Sequence, residues 1–550
     1  MNKKIEIVSL LQIEIMNALK KLNYYNEGFQ IEIEIPKDKS HGDYSSNVAM
    51  KLARIAKKNP KIIAEEIIAN FDMDAAHVET VEIAGAGFIN FTIKLDYIAS
   101  VVEIINKLGD EYGAVSKKED ERVNLEFVSA NPTGYLHVGH GRGAAYGDSL
   151  ARIMKKAGIN VSKEHYVNDA GNQIINMARS VYERYKELFG LECVLGDDHY
   201  HGKEIITIAE KIKNEYGDKY LNNYDEAFFK EYGTKELLGN LKSDLKEFNV
   251  EFDTWFSEKS LYANNEVQNV IKLLNERGFT YESEGAVWLR TSLYNDEKDR
   301  VIIKSDGSYT YLLPDIAYHA NKLNRGYSHL IDVLGADHHG YIDRLKAAIT
   351  MVGGNSDLLD VEILQMVRVM ENGVEVKMSK RSGKAITLND LIEMVGVDAL
   401  RYFYVEKSLN THMDLNLDLM KKKSSDNPVY YAGYAHARIV SVFKKFESLG
   451  NKFTERTMFT HINLATVKDL CMLLIQYPDL ISEIAASHQV HRLTKYIQDL
   501  AYALHTYYND EKIITDDIEE TSEKLTILNA VRIILKDSMQ LIGVTAPEAM

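Results

Sequence analysis

The chain has 550 residues, of which 45% are hydrophobic and 27% charged, and its formal net charge is −16. This length is too great for one hydrophobic core and predicts roughly three or four domains. The acidic balance excludes a protein that coats nucleic acid nonspecifically, although it permits a local basic patch. Two cysteines far apart in the sequence, Cys193 and Cys471, exclude a disulfide framework and a cysteine zinc site.

Residues 1–110 predict a small α+β domain. Apolar residues recur at three- and four-residue intervals from Ile7 to Leu22, which indicates an amphipathic helix rather than a signal peptide. Alternating strands are predicted over Gln30–Pro36 and Phe88–Ile93, with a helix around Asn47–Ala56 between them. We find no apolar run long enough to cross a membrane, so we expect a cytoplasmic protein without membrane association.

Residues 111–390 predict an α/β domain built on a doubly wound parallel sheet, because strand patterns alternate with helical ones from Val123 onward. A mainly helical, charged insertion is predicted near residues 172–280. Further strands are predicted in AVWLR, RVIIKSDGSYTYLLPD, HLIDVLGADHHG and VEILQMVRVM. Residues 391–550 contain almost only helical patterns, which predicts an all-α C-terminal region.

A glycine-rich turn follows the first strand of the α/β domain. Five glycines fall between Gly134 and Gly147, with His137 and His140 among them. A strand, a glycine-rich turn and a helix N-terminus form an anion site, because unpaired N–H groups and the helix dipole face the ligand. Two hypotheses remain open at this point.

The first hypothesis is a nicotinamide or flavin oxidoreductase. Gly139–Ala144 satisfies the dinucleotide pattern, and Glu164 is the acidic residue roughly twenty positions further on. The second hypothesis uses the histidines, which share one helix face and can stabilise charge that develops on a phosphate. It explains why two imidazoles stand among the glycines, which the first does not.

A basic stretch, KMSKRSGK, covers Lys377–Lys384 and carries four basic residues. It follows the strand pattern VRVM, and ligands of doubly wound sheets bind beyond the carboxyl ends of the strands. Its lysines are therefore predicted to hold a triphosphate as point charges.

His137-Val-Gly-His140 and Lys377-Met-Ser-Lys380 together resemble the paired signatures of class I aminoacyl-tRNA synthetases. Further segments are similar to the arginyl-tRNA synthetases in particular: HGDYSSNVAM (His41–Met50), VNDAGNQI (Val167–Ile174), YLLPDIAYH (Tyr311–His319), GADHHGY (Gly335–Tyr341), GVDALRYF (Gly396–Phe403), NPVYYAGYAHAR (Asn427–Arg438) and the terminal APEAM. Tyr135 stands where that family usually has proline, Val138 replaces an isoleucine, and Arg381 replaces a serine. None of these departures removes a signature histidine or lysine.

The resemblance implies an arginine–tRNA ligase. Such an enzyme activates arginine with ATP to give arginyl-adenylate and pyrophosphate, and then transfers arginine to the 3′-terminal ribose of its tRNA. It implies a Rossmann-like catalytic domain, a tRNA-contacting N-terminal domain and an anticodon-binding C-terminal domain. It also implies Mg²⁺ accompanying ATP, no tightly bound structural metal, and a monomer. A class I synthetase for another amino acid is the main alternative, and a noncatalytic tRNA-binding relative is a further one.

The resemblance also assigns roles to residues. His137 and His140 are expected at the reacting phosphate, and Lys377 and Lys380 at the departing pyrophosphate. The predicted ATP-binding residues are Gly134, His137, Gly139, His140, Gly141, Lys377, Met378, Ser379 and Lys380. The predicted arginine-binding residues are Glu126, Ser129, Asn131, Tyr311, Asp315 and Asp337. The predicted tRNA-binding residues, suited to stacking on unpaired bases, are Tyr430, Tyr434 and Arg438.

Overall fold

The computed structural model describes residues 2–26, 28–116, 118–376 and 386–550, without the side chains of residues 118–120 and His339. The first elements in chain order are α1 (Lys3–Lys21), β1 (Tyr44–Ser46), α2 (Val48–Ala56), α3 (Pro60–Ala69), β2 (Val78–Ala84), β3 (Phe88–Ile93), α4 (Leu95–Ala99) and α5 (Val101–Leu108). The three strands pair antiparallel in the order β1-β3-β2. Ile7, Leu11, Ile15 and Leu19 of α1 are fully buried, as their spacing predicts.

The strand predicted over Gln30–Pro36 is wrong. Within this segment only Glu34 forms a β-bridge, with Ser45. Two of its carbonyl groups accept side-chain hydrogen bonds instead, Ile31 from Gln12 and Glu32 from Ser46. The alternating pattern therefore belongs to an extended segment that side chains hold in place.

The next elements alternate between strand and helix: β4 (Lys118–Glu126), α6 (Val138–Lys156), β5 (Ile159–Val167), α7 (Asn172–Glu187), α8 (Lys203–Tyr216), α9 (Glu226–Glu247), β6 (Thr254–Ser257), α10 (Glu258–Ala263), α11 (Glu266–Glu276), β7 (Thr280–Ser283), β8 (Ala286–Leu289), β9 (Arg300–Ile303), α12 (Leu312–Asn324), β10 (His329–Gly335), α13 (Ile342–Met351), β11 (Leu359–Leu364), β12 (Val367–Glu371) and β13 (Val374–Glu375). Five of these strands form a parallel sheet in the order β11-β10-β4-β5-β6. The chain order reverses beside β4, so the carboxyl ends of β4 and β10 flank the switch point at which such sheets bind ligands.

Two details of this region differ from the prediction. The segment near residues 172–280 is helical through α7, α8 and α9, but it also contains β6, an edge strand of the central sheet. The strands β7, β8 and β9 form a separate antiparallel sheet rather than part of the parallel one. Strands of four residues carry too little pattern to assign them to a sheet from sequence alone.

The last elements are mostly helical, as predicted: α14 (Leu388–Val395), α15 (Val397–Glu406), β14 (Met413–Asn416), α16 (Leu417–Met420), α17 (Pro428–Ser448), α18 (Lys468–Ser487), α19 (His491–Asp510) and α20 (Ile518–Leu541). The strand β14 pairs with β12, which also pairs with β13. The basic stretch therefore follows β12 and β13 of this small sheet in the chain and precedes β14, whereas we predicted that it follows a strand of the central sheet.

Among the described residues, α18 together with the short helical turn before it, Leu464–Ser487, has the length and composition of a membrane span. We had expected no such segment. Of its most apolar 18-residue window, 56% is buried inside the protein. Leu470, Leu474 and Ile481 pack in the helical core. This packing accounts for the apolar character of the helix.

Candidate active site

The glycine-rich turn leads into α6, and His137 is the N-cap residue of that helix. The Nδ1 atom of His137 accepts the backbone N–H of Gly139 at 3.1 Å, and Nδ1 of His140 accepts the N–H of His137 at 3.3 Å. The two rings stack with their centroids 3.6 Å apart. Each imidazole thus caps an N–H group that the start of the helix leaves unpaired.

The surroundings of both histidines favour the neutral imidazole near pH 7. Burial lowers the pKa of His137, and burial together with His137 and His165 lowers the pKa of His140 to about 3. A neutral imidazole carries one N–H, and Nδ1 of each ring already accepts a hydrogen bond, so the hydrogen lies on Nε2. Each ring therefore offers an uncharged donor at a helix N-terminus, where the dipole favours an anion.

These rings line a cavity of about 710 Å³, which we call the histidine cavity. The turn after β4 contributes Asn131 and Gly134 to its wall. The helical insertion contributes Tyr200 and Lys203, and the residue before α14 contributes Thr387. Three distant parts of the chain thus meet around the two imidazoles.

Of the three glycines predicted to bind ATP, only Gly134 lines this cavity. A Cβ atom at Gly139 would lie 3.1 Å from the ring of His137, so this glycine makes room for the capping imidazole. A Cβ atom at Gly141 would lie 2.8 Å from Leu388 Cδ1 and from Tyr404 Oη. Gly141 therefore permits close packing of α6 against α14 and α15, and the structure does not bring it to the cavity.

A second cavity, of about 760 Å³, opens at the carboxyl ends of β4, β5 and β10, and we call it the acidic cavity. Four acidic residues line it: Glu126, Glu258, Asp315 and Asp332. Its two arginines, Arg300 and Arg344, both pair with Asp296 outside the lining. Asn131 lines both cavities, so the two are adjoining parts of one cleft.

A buried chain of alternating charges runs along the floor of the acidic cavity. Lys322 Nζ lies 2.7 Å from Glu126 Oε2 and 2.8 Å from Asp332 Oδ1. His319 Nε2 lies 2.8 Å from the other oxygen of Asp332, and its Nδ1 lies 3.1 Å from Asp315 Oδ1. Burial opposes a charge on His319, but Asp332 and Asp315 raise its pKa to about 10. With all five groups ionised, two cations face three carboxylates and one negative charge remains.

Glu126 and Ser129, both predicted to bind arginine, are also bound to each other. Ser129 Oγ donates to Glu126 Oε1 at 2.8 Å, and it accepts the N–H of Tyr166 at 3.1 Å. Val128 and Ser129 have φ angles of 68° and 39°. Positive φ is costly for such residues, and strained backbone of this kind clusters at functional sites.

Glu258, at the start of α10, lines the acidic cavity but was not singled out from the sequence. It is 8% exposed, and no lysine or arginine of the described chain forms an ion pair with it. Its polar contacts are neutral: the hydroxyls of Tyr166 and Tyr262 and the amide of Asn168. Burial raises its pKa, and the nearby carboxylates of Asp169 and Asp315 raise it further, even though both hydroxyls lower it. A buried carboxylate without a cation is costly unless a ligand supplies the charge.

Asp315 lies in the first turn of α12 and lines the acidic cavity, with Tyr311 at the rim, 80% exposed. Asp337 does not line this cavity, and its side chain is 84% exposed, so its role in arginine binding stays a prediction. The turn Ala336–Tyr341 brings His338 and Tyr341 to the cavity instead. The motif GADHHGY indicated that this turn belongs to the site, but a sequence does not show which side chains of a tight turn point inward.

The predicted residues Lys377, Met378, Ser379 and Lys380 lie outside the described residues. The described chain that follows them is anchored at the signature turn. The N–H of Leu388 donates to the carbonyl of Leu136 at 2.8 Å, and Thr387 forms a β-bridge with His137. The chain that follows the basic stretch thus lies beside the histidines, while the roles of the lysines stay predictions.

The dinucleotide hypothesis does not fit the surroundings of Glu164 and Arg142. Glu164 is fully buried, and Arg325 binds both of its oxygens at 2.6 and 2.7 Å, so it cannot bind a ribose. Arg142, inside the glycine pattern, is also fully buried and donates to three backbone carbonyls, those of Gln365, Ser408 and Thr411.

The predicted tRNA-binding residues share one face of α17. Tyr430 and Tyr434 stack with ring centroids 6.4 Å apart and planes 5° apart. One turn further on, the guanidinium of Arg438 lies 4.1 Å from the ring centre of Tyr508. The structure therefore brings all three residues into one aromatic row, in which Tyr434 is 42% exposed.

Three family profiles match this chain. The profile described as tRNA synthetases class I (R), catalytic domain, matches residues 102–439. The arginyl tRNA synthetase N terminal domain matches residues 9–93, and the DALR anticodon binding domain matches residues 432–550. The chain belongs to the arginyl-tRNA synthetase family.

Curated relatives of this synthetase match over its full length. The arginine–tRNA ligase of Bacillus subtilis is 49% identical over 556 residues, with 100% of both chains covered. A solved chain described as an arginyl-tRNA synthetase from Campylobacter jejuni is 32% identical, with a TM-score of 0.78 over 83% of this chain and 100% of that one. The Thermus thermophilus arginyl-tRNA synthetase, at 20% identity, shares the fold with a TM-score of 0.76 over 98% and 99%.

These matches confirm the predicted activity, that of an ATP-dependent arginine–tRNA ligase. They also confirm the predicted architecture: a small N-terminal domain, a Rossmann-like class I catalytic domain and a helical C-terminal domain. The synthetase for another amino acid and the oxidoreductase are set aside with them.

Proposed function

We propose that this synthetase performs both steps of its reaction in the cleft, with arginine in the acidic cavity and ATP in the histidine cavity. The observation that carries the proposal is Glu258, a buried carboxylate without a cationic partner among the described residues, in the same cavity as Asp315. A guanidinium supplies the missing positive charge and can donate paired hydrogen bonds to a carboxylate.

In this arrangement Asp315 and Glu258 bind the guanidinium, and Tyr311 covers it at the rim. Asn131 and Ser129 lie toward the histidine cavity and take the amino and carboxyl end of arginine. Glu126 acts through Ser129, which it holds by a hydrogen bond of 2.8 Å. Lysine and citrulline are rejected because neither presents a charged planar fork to the two carboxylates.

In the first step a carboxylate oxygen of arginine attacks the α-phosphorus of ATP, and the bond from that phosphorus to the bridging oxygen of pyrophosphate breaks. His137 and His140 stabilise the charge on the phosphate through their Nε2–H groups. Because both rings are neutral, they act as hydrogen-bond donors and not as acids. We assign pyrophosphate binding to Lys377 and Lys380, and Mg²⁺ to the triphosphate, since it prefers phosphate and water oxygens.

In the second step a hydroxyl of the terminal tRNA ribose attacks the adenylate carbonyl, the bond from that carbon to the phosphate oxygen breaks, and AMP leaves while its phosphate takes up the hydroxyl proton. The class I family implies the 2′-hydroxyl. Unpaired tRNA bases stack on Tyr430, Tyr434 and Arg438. We further propose that the boundaries at residues 110 and 390 separate the three functional domains and that the enzyme works as a cytoplasmic monomer.

The test is ATP–pyrophosphate exchange with each of the twenty amino acids, with and without tRNA. Of the twenty amino acids, only arginine is expected to support exchange above background. Exchange with another amino acid, or arginine exchange that persists unchanged when Asp315 and Glu258 are both neutralised, contradicts the proposal.

A further inference from the structure

His319 is buried beside the acidic cavity and lies one helical turn after Asp315 on α12. It is 2% exposed, and its two ring nitrogens contact different carboxylates, Asp332 at 2.8 Å and Asp315 at 3.1 Å. Nδ1 also lies 2.8 Å from the backbone carbonyl of Asp315. The ring therefore contacts both the side chain and the backbone of Asp315.

The far side of His319 is fixed by the central sheet. Asp332 lies on β10, and its second oxygen is bound by Lys322, which also binds Glu126 on β4. Asp332 therefore cannot turn away from the imidazole without leaving Lys322. Through these contacts the neighbouring strands β4 and β10 set the position of the ring, and the ring sets the position of Asp315.

This matters for the substrate, because a carboxylate takes a guanidinium fork well in only one orientation. Asp315 has a side chain that is 28% exposed, so without internal partners it would be free to adopt several rotamers. Of the groups in the described chain, His319 contributes the cation that faces it from the protein side, and Tyr341 contributes a hydroxyl.

We propose that His319 is a positioning residue for arginine: it fixes the Asp315 carboxylate against Asp332, so that this carboxylate meets the guanidinium in one orientation. The inference rests on the proposed placement of arginine in the acidic cavity. His319 acts through Asp315 and makes no contact with the substrate in this account.

The test compares two replacements of His319 with a control on β10. His319→Gln can still donate to Asp332 but loses the cation, and His319→Met removes both contacts at similar volume. Both are expected to raise the KM for arginine about 10- to 100-fold, the range for removing a partner that orients a binding group. The kcat and the KM for ATP stay within about threefold. His329→Gln breaks a similar pair, His329 with Asp360 at 2.8 Å, outside the cavity, and is expected to change none of these values.

A double-mutant cycle with Asp315→Ala decides whether His319 acts through Asp315. In the Asp315→Ala background, His319→Gln is expected to raise the KM for arginine by a factor of less than about two. If both His319 variants leave the KM near that of the wild type while Asp315→Ala raises it, the inference is overturned and the proposed site stands. If the effects multiply, His319 acts independently of Asp315 and the inference fails. If Asp315→Ala itself has no effect, the proposed site is wrong.

Discussion

The histidine cavity and the acidic cavity adjoin at Asn131, yet they handle charge in opposite ways. In the first, lowered pKa values favour neutral imidazoles, which present N–H groups at a helix N-terminus. In the second, charged groups are buried in a connected chain that ends with more carboxylates than cations. If the proposed placement holds, ATP binds where neutral donors face it, and arginine binds where carboxylates outnumber the cations.

The largest effect is expected from Asp315→Ala, which removes one carboxylate of the acidic cavity. Breaking a buried ion pair costs about 3–5 kcal/mol, so kcat/KM for arginine falls about 1000-fold while the KM for ATP is little changed. The matched control is Asp337→Ala. Because the Asp337 side chain is 84% exposed, the kcat/KM of this variant for arginine is expected to stay within about twofold of the wild-type value. Equal losses in the two variants would show that Asp337 binds arginine as well as Asp315.

A smaller loss is expected from His140→Asn. Asparagine can still accept the N–H of His137 and so preserve the start of α6, but it removes the Nε2–H donor. The rate of adenylate formation falls about 100-fold or more, as for removal of one donor to a developing oxyanion, and the KM for arginine changes little. Single-turnover formation of arginyl-adenylate measures this. An increase in the KM for arginine with an unchanged rate of adenylate formation would show that His140 binds arginine and does not act at the phosphate.

Glu258→Gln is expected to separate activity from stability. Loss of its charge raises the KM for arginine about 30-fold, within the range for a charged hydrogen bond. The free energy of unfolding stays the same or rises, because an unpaired buried carboxylate destabilises the free protein. Asp296→Asn is the control: Asp296 is also 8% exposed but is paired with Arg300, so its replacement lowers stability. If Glu258→Gln lowers the free energy of unfolding as much as Asp296→Asn does, Glu258 forms an ion pair within the protein.

The smallest effect concerns the glycines of α6, where only packing is at stake. Gly141→Ala places a methyl group 2.8 Å from Leu388 and Tyr404, which lowers the free energy of unfolding by about 1–3 kcal/mol. At Gly143 the nearest atom lies 3.7 Å away, so Gly143→Ala is neutral or stabilising. Urea denaturation measures both. If Gly141→Ala keeps its stability but loses affinity for ATP, Gly141 contacts ATP as the sequence predicted.

The sequence predicted those parts of the cleft that depend on local order. The histidine signature with its strand–turn–helix unit and, outside the cleft, the aromatic face of α17 follow from residues close together in the chain, whereas the lysine signature lies outside the described residues. It could not show that Gly141 faces Leu388, or that Tyr341 replaces Asp337 at the cavity, because these depend on side-chain directions in packed elements. Glu258 was missed because β6 is only four residues long. The His319–Asp332–Lys322 chain was missed because it forms only when α12 packs against β10.

The most direct test of the account is a crystal structure with a nonhydrolysable arginyl-adenylate analogue, which fills both cavities at once. The guanidinium is expected within about 3 Å of the carboxylates of Asp315 and Glu258. The group that replaces the phosphate is expected to accept hydrogen bonds from Nε2 of His137 and His140. An analogue bound in reverse, with its adenosine in the acidic cavity and its guanidinium away from both carboxylates, would contradict it.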